Sequence, residues 1–265
     1  MRANLFLMTN LIFLASCATN IPEVVDNSID SSNTELESTV LKNDSFDGVQ
    51  FFMDGMLFFE QGDYARAIIE FQDSIEAGSN SPEVYFNMSE AYWMLQKYDK
   101  SISLAKKAIL LDDSAVDYKI SLGKKYIALN NYELSLDVFN GIALKNPKNA
   151  DVIFIIGDLK AELNDVDGAL LYYQEAYNVD NELILALEVA AQLAYNSNHM
   201  DLPKIFKKLL LADPSNSEYM RGFLESKNGG NVEELIDLLE LEELKANPFY
   251  NNLFNQIALE FIRQG

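Results

Sequence analysis

Residues 55–75 read GMLFFEQGDYARAIIEFQDSI, and the same layout returns downstream. Stepping thirty-four residues at a time from Gly55 reaches Ser89, Gly123 and Gly157, and a further step of thirty-three reaches Ala190, all of them small. Twelve residues after each of the first four stand Ala67, Ser101, Ser135 and Ala169, with Leu202 departing in the fifth unit. Sixteen residues after each come Phe71, Ala105, Phe139, Tyr173 and Phe206, which are largely aromatic. Small residues at two fixed points are what two antiparallel helices need where they cross, because a bulky side chain there would hold them apart. The aromatic then fills the space between adjacent pairs. Gly62, Asp63 and Tyr64 supply the turn between the two helices, echoed by Lys97 and Tyr98 and by Asn131 and Tyr132. Pro147, Pro214 and Pro248 fall toward the ends of the third, fifth and sixth units, where proline stops a helix.

This spacing resembles the tetratricopeptide repeat, a helix-turn-helix unit of about thirty-four residues. The resemblance implies an all-α fold, a right-handed α-solenoid, with units at about 48–81, 82–115, 116–149, 150–182, 183–216 and 217–248. The sixth is degraded, with Gly229 and Gly230 at its turn and Leu224 where a small residue is expected. Residues 249–265 are expected to form a capping helix whose Phe254, Ile257, Ala258 and Phe261 cover the edge of the array.

The chain opens differently. After Met1 and Arg2, the run Leu5 to Ala15 has the length of a signal-peptide core and is too short to span a bilayer. It ends in Leu14, Ala15, Ser16 and Cys17, which resembles the lipobox of bacterial lipoproteins, and Cys17 is the sole cysteine. That resemblance implies removal of residues 1–16 and acylation of Cys17, and two or three acyl chains hold a protein on a membrane. Once Cys17 is consumed by lipid no thiol remains for a disulfide. Ala18 stands where enterobacterial lipoproteins kept at the inner membrane carry aspartate, which favours the outer membrane, periplasmic face. Residues 17–47, rich in Asn, Ser, Thr, Asp and Glu, read as a solvated tether, in which a short helix around 34–42 would have little to pack on.

Forty-one acidic residues against twenty basic ones give a formal charge of −21. Such a field repels phosphate backbones and anionic headgroups, so nucleic acid is excluded as a partner and any membrane attachment must be by lipid insertion. The chain shows no nucleophile elbow, phosphate-binding loop or dinucleotide fingerprint. Asn164 to Gly168 superficially suggests a calcium loop, but Leu163 and Gln174 stand where such a loop needs an acid and a glutamate. His199, the only histidine, lacks a second histidine or a cysteine to share a metal with and reads as a surface turn residue. We therefore expect no enzyme, no cofactor and no metal.

In tetratricopeptide proteins the first helix of each unit lines a groove at its second, fifth, ninth, twelfth and thirteenth positions. Carried over by the resemblance, those positions are Phe52, Met56 and Phe59, then Glu83, Phe86, Glu90, Trp93 and Met94. The third and fourth units offer Asp117, Ile120, Lys124 and Ile127, then Asp151, Phe154, Asp158 and Glu162, and the fifth Leu187 and Tyr195. The expected surface is an apolar and aromatic trough edged with carboxylates, suited to a protein or peptide segment with apolar anchors and Lys or Arg. The lysine and asparagine clamp by which some relatives grip a chaperone tail is missing. Three roles fit: a scaffold in assembly of an outer-membrane or envelope machine, an adaptor delivering substrates to a periplasmic protease or cell-wall hydrolase, or a surface-exposed lipoprotein. Whether the domain dimerises is left open by the sequence.

Overall fold

A computed structural model describes residues 40–226 continuously, side chains from Asp47 onward except that of Leu224, and scattered positions beyond. The signal segment, Cys17 and tether residues 17–39 lie outside the described residues, as do Gly229, Gly230 and all but isolated positions of the expected capping helix.

The described residues are helical throughout, with no strand. They form α1 (Val40–Glu60), α2 (Tyr64–Glu76), α3 (Pro82–Met94), α4 (Tyr98–Leu111), α5 (Val116–Ala128), α6 (Tyr132–Lys145), α7 (Ala150–Glu162), α8 (Val166–Val179), α9 (Ile184–Asn196), α10 (Leu202–Ala212) and α11 (Ser217–Ser226). Among them no helix is long and apolar enough to cross a membrane. One boundary differs from the sequence reading: α1 begins at Val40, so residues 40–47 continue a helix where the tether was expected. No proline or glycine interrupts 40–47, and Gly48 is held from α2, its carbonyl accepting from Ser74 Oγ at 2.7 Å.

Why the chain folds into pairs is visible at each turn. Gly62, Gln96, Asn130, Asn164 and Asn198 all have positive φ, between 51° and 78°, and follow one another at thirty-four-residue steps. A residue in this left-handed region ends a helix by returning the next amide to the last turn. The bonds recur in register: Asp63 N to Phe58 O, Lys97 N to Tyr92 O, Asn131 N to Tyr126 O and Asp165 N to Lys160 O are each 2.9 Å, and His199 N to Ala194 O is 2.8 Å. The following helix is then started in two units by a capping aspartate, Asp63 accepting from Arg66 N and Asp165 from Gly168 N. The acidic turn 164–168 is therefore a helix start, with Lys160 paired to Asp165 at 2.8 Å.

The small residues sit at the crossings. Gly123 lies against the ring of Phe139 and Gly157 against that of Tyr173, both rings buried. Ala67, Ser101, Ser135 and Ala169 are wholly buried on the partner helices. The serines stay satisfied there: Ser135 Oγ donates to the Gly123 carbonyl at 3.0 Å, and Ser101 and Ser89 share a hydroxyl bond of 3.2 Å. The aromatics then reach into the next pair, Phe71 packing with Val84 and Met88, Phe139 with Val152 and Ile156, and Tyr173 with Leu187 and Ala190. From α2 onward each helix packs on its neighbours in sequence, up to α11 on α10, as in an α-solenoid. In α11 the thirty-four-residue step fails, and the residue whose missing side chain admits an aromatic is Gly222, against Phe206, two positions before Leu224.

Candidate binding face

The expected groove residues fall into three groups. The apolar ones form a half-buried floor and not open anchors. Phe52, Met56 and Phe59 pack into the cluster around Phe71 and Met88, with Phe52 5.9 Å from Phe71 and Phe59 edge-on to Tyr64 at 5.3 Å. Phe86 stacks on Tyr118 at 4.6 Å, Ile120 joins the cluster of Phe139 and Ile156, and Phe154 tilts against Tyr173 at 5.4 Å. Ile127 packs in the same cluster as Ile120. Leu187 is not a surface residue at all: it is fully buried in the core between α8 and α9. The physical reason is that the paired helix of the same unit, or for Phe86 a helix of the next unit, buries one side of these rings, which a position-by-position reading of one helix cannot register.

The second group is engaged by an unexpected partner. Lys125, on α5, is 4% exposed, and its ammonium donates to Glu90 and to Ser121 Oγ, the latter at 2.7 Å. Ser121 donates to the same Glu90 carboxylate at 2.7 Å, and Lys125 Nζ lies 5.4 Å from the centre of the Trp93 ring. Trp93 also packs on Tyr98 at 4.7 Å. Glu90 and Trp93 are thus held in a polar cluster between α3 and α5 and are not free to receive a ligand unaided. The sequence signal was present, because Lys125 occupies the place that Ala91 and Leu159, both buried, fill in the neighbouring units. Lys124, the basic residue among the expected groove positions, is exposed.

The third group is exposed to solvent, with Glu83 also accepting from the Ser81 hydroxyl. Glu83, Asp117 and Asp151 are exposed in the first turns of α3, α5 and α7 at thirty-four-residue steps. A helix N-terminus favours a carboxylate there. Glu162 and Met94 are exposed as well.

Asp158 is half-buried and accepts from the hydroxyl of Tyr173 at 2.8 Å. Burial pushes its pKa up to about 6 against the weaker pull of the Tyr173 bond, and Glu162 adds to the rise. Burial and Asp158 together push the Tyr173 phenol upward. A carboxylate whose folded pKa lies above its unfolded value binds its proton more tightly when folded, so its contribution is fully present below pH about 4 and is lost as pH rises through about 6. Asp158→Asn, which keeps an acceptor for Tyr173 but cannot ionise, should therefore gain about 1–2 kcal/mol over the native chain at pH 7 and little at pH 4, read from urea melts at both.

At the far end of the face lies a recess of about 340 Å³ between α9, α10 and α11, lined by Tyr195, Phe206 and Tyr219 with Glu188, Arg221 and Glu225. Tyr195 is 63% exposed. Tyr219 donates its hydroxyl to Glu188, and the surrounding carboxylates raise its pKa, after burial, to about 12. Among the described residues no three His, Cys, Asp or Glu side chains are placed to hold a metal ion. His199 accepts at Nδ1 from the Asp201 amide at 3.1 Å, which leaves the proton on Nε2 to donate to Asp167 at 2.8 Å. It clips the turn of one unit to that of the previous one.

Residues 52–116 and 120–181 match the tetratricopeptide repeat family. Human tetratricopeptide repeat protein 12 is 28% identical over 109 residues, covering 41% of this chain and 15% of that protein. The TPR repeat-containing protein MJ1428 of Methanocaldococcus jannaschii is 23% identical over 124 residues, covering 47% of this chain and 22% of that one. The chain thus spans about a fifth or less of the length of these curated relatives. Among solved structures, MamA is similar with a TM-score of 0.55 at 19% identity, over 65% of this chain and 95% of that one. YrrB, described as a TPR protein with an unusual peptide-binding site, gives 0.52 at 17% identity, over 69% and 95%. At such identities the likeness is one of fold.

Proposed function

We propose, for a chain that carries tetratricopeptide repeats over residues 52–116 and 120–181, a non-enzymatic scaffold that holds a protein segment along the face of its odd-numbered helices. The observation that carries this reading is the row of exposed carboxylates Glu83, Asp117 and Asp151, one per unit, beside the half-buried aromatic floor of Phe52, Phe86 and Phe154. Repeated negative charge at a fixed spacing steers and registers an extended or helical segment bearing Lys or Arg, while the partly exposed rings add apolar contact. Because the floor is shared with the core, affinity rests more on charge than an open aromatic trough would allow.

The further step places this scaffold on the periplasmic face of a bacterial outer membrane, anchored by acylated Cys17 and serving assembly of an envelope machine. Residues 5–17 and the lack of any other cysteine support it. Delivery of substrates to a periplasmic protease or cell-wall hydrolase is the second role the same face would serve, and a surface-exposed lipoprotein the third.

The binding reading is tested by titrating the protein with an amphipathic Leu/Lys peptide and its Leu/Glu counterpart. Only the Leu/Lys peptide should bind, more weakly as salt rises, and about tenfold more weakly when Glu83, Asp117 and Asp151 are all replaced by serine. Equal binding of the two peptides would overturn it. The anchor is read by mass spectrometry of the N-terminal peptide from membranes: an acylated Cys17, lost in Cys17→Ser with release of the protein, is the expected result, and a chain that still begins at Met1 removes the lipoprotein reading.

A further inference from the structure

We infer that the recess between α9, α10 and α11 receives one arginine side chain of the bound segment, an inference that rests on the protein-binding reading above. Its base is apolar, with Leu209 fully buried and the half-buried Phe206 packed against Gly222 of α11, where a Cβ would fall 2.3 Å from the Phe206 ring. One wall is Tyr195, a large aromatic left 63% exposed. The corresponding places in the preceding units hold Met94, Ala128 and Glu162, so an aromatic wall occurs at this step of the array and not at those.

The polar groups point to a cation. Glu188 has one carboxylate oxygen taken by the Tyr219 hydroxyl, which leaves the other able to accept. Glu225 lines the same recess, while Arg221 is committed to Glu218 at 3.1 Å on the exposed rim. Three carboxylates against one paired guanidinium leave the recess negative. An anionic side chain would be repelled, and a neutral apolar one would cover Glu188 without bonding it. Among cations, a planar guanidinium can stack on the tyrosine ring and fork to a carboxylate at once, whereas an ammonium keeps its water and offers no flat face.

The test uses N-acetyl-arginine amide and N-acetyl-citrulline amide as probes on the full chain, followed by saturation-transfer NMR. The charged probe should receive saturation along its side chain and the isosteric neutral one should not. Tyr195→Ala and Glu188→Gln should each weaken the arginine signal by about tenfold, and Tyr195→Phe should retain it. Both positions are exposed, so unchanged melting curves are expected and separate lost binding from lost fold. Equal response to the citrulline probe, or an arginine signal indifferent to Tyr195→Ala, overturns the inference. If the Leu/Lys peptide still binds while the arginine probe fails, the recess reading alone is wrong. If neither binds, the scaffold reading falls with it.

Discussion

Glu90→Ala should cost about 3 kcal/mol of folding free energy, far more than an ion pair on the surface of a helical array is worth. The reason is its partner. Lys125 is 4% exposed between α3 and α5, and Glu90 is the carboxylate to which its ammonium donates. Without it the charge is left with Ser121 Oγ at 2.7 Å and the face of Trp93 at 5.4 Å, neither of which carries an opposite charge. An ammonium in that position must draw in water, which opens the seam between two units. Removing the charge together with its partner should behave differently. Lys125→Met fills much of the same volume with a flexible apolar chain, and the matching places in the neighbouring units, Ala91 and Leu159, are apolar and buried, so the double variant Glu90→Gln, Lys125→Met should lie within about 1 kcal/mol of the native protein. A double-mutant cycle read by urea unfolding checks both results at once. A Glu90→Ala loss under about 1 kcal/mol would mean that solvent reaches Lys125 and that the cluster does not hold the two units together.

That cluster also marks where sequence reasoning reached its limit. The repeat was legible because its determinants are local and periodic: a small residue at 55, 89, 123, 157 and 190 marks one helical crossing written five times, and in all but the second unit, which has Ala105, an aromatic follows sixteen residues on. The turn signal was present in part: Gly62, Asn130, Asn164 and Asn198 are residues that favour the left-handed region, whereas Gln96 adopts the same conformation without being one of them. Individual binding positions were less legible. Phe86 and Phe154 do stand on the expected face, yet how much of each ring is open depends on Tyr118 and Tyr173, which belong to other helices. Leu187 was misplaced for the same reason, and Lys125 was missed because a charged residue at a core place is read as exposed until its partner, thirty-five residues away, is known. Sequence spacing fixes which residues share a face. It does not fix which of them the neighbouring unit consumes.

Gly157→Leu should have the largest effect of any single change considered, a loss of about 4 kcal/mol or more that separates the array into two weakly coupled halves. A Cβ alone at this position would stand 2.7 Å from two carbons of the Tyr173 ring. That ring cannot swing away, because it is 2% exposed, packs on Leu187 and Ala190 of the following unit, and donates its hydroxyl to Asp158. Gly157→Ala therefore sets two terms against each other: a gain of about 1 kcal/mol in helix propensity and an overpacking cost of about 1–3 kcal/mol, so a net loss is expected. Leucine adds three more carbons and no further propensity, and α7 must then move off α8. Gly141 provides the contrast. It lies within α6 with nothing within 4 Å of where a Cβ would go, so Gly141→Ala should stabilise by about 1 kcal/mol through propensity alone. In a stack where each unit is supported only by its neighbours, the injury at 157 should spread: urea unfolding of Gly157→Leu should split into two transitions, the earlier one reporting α7 to α9. A single transition with a midpoint near that of the native chain would show that the crossing of α7 and α8 can open without cost, and the close approach set by small residues would not be what holds these helices in pairs.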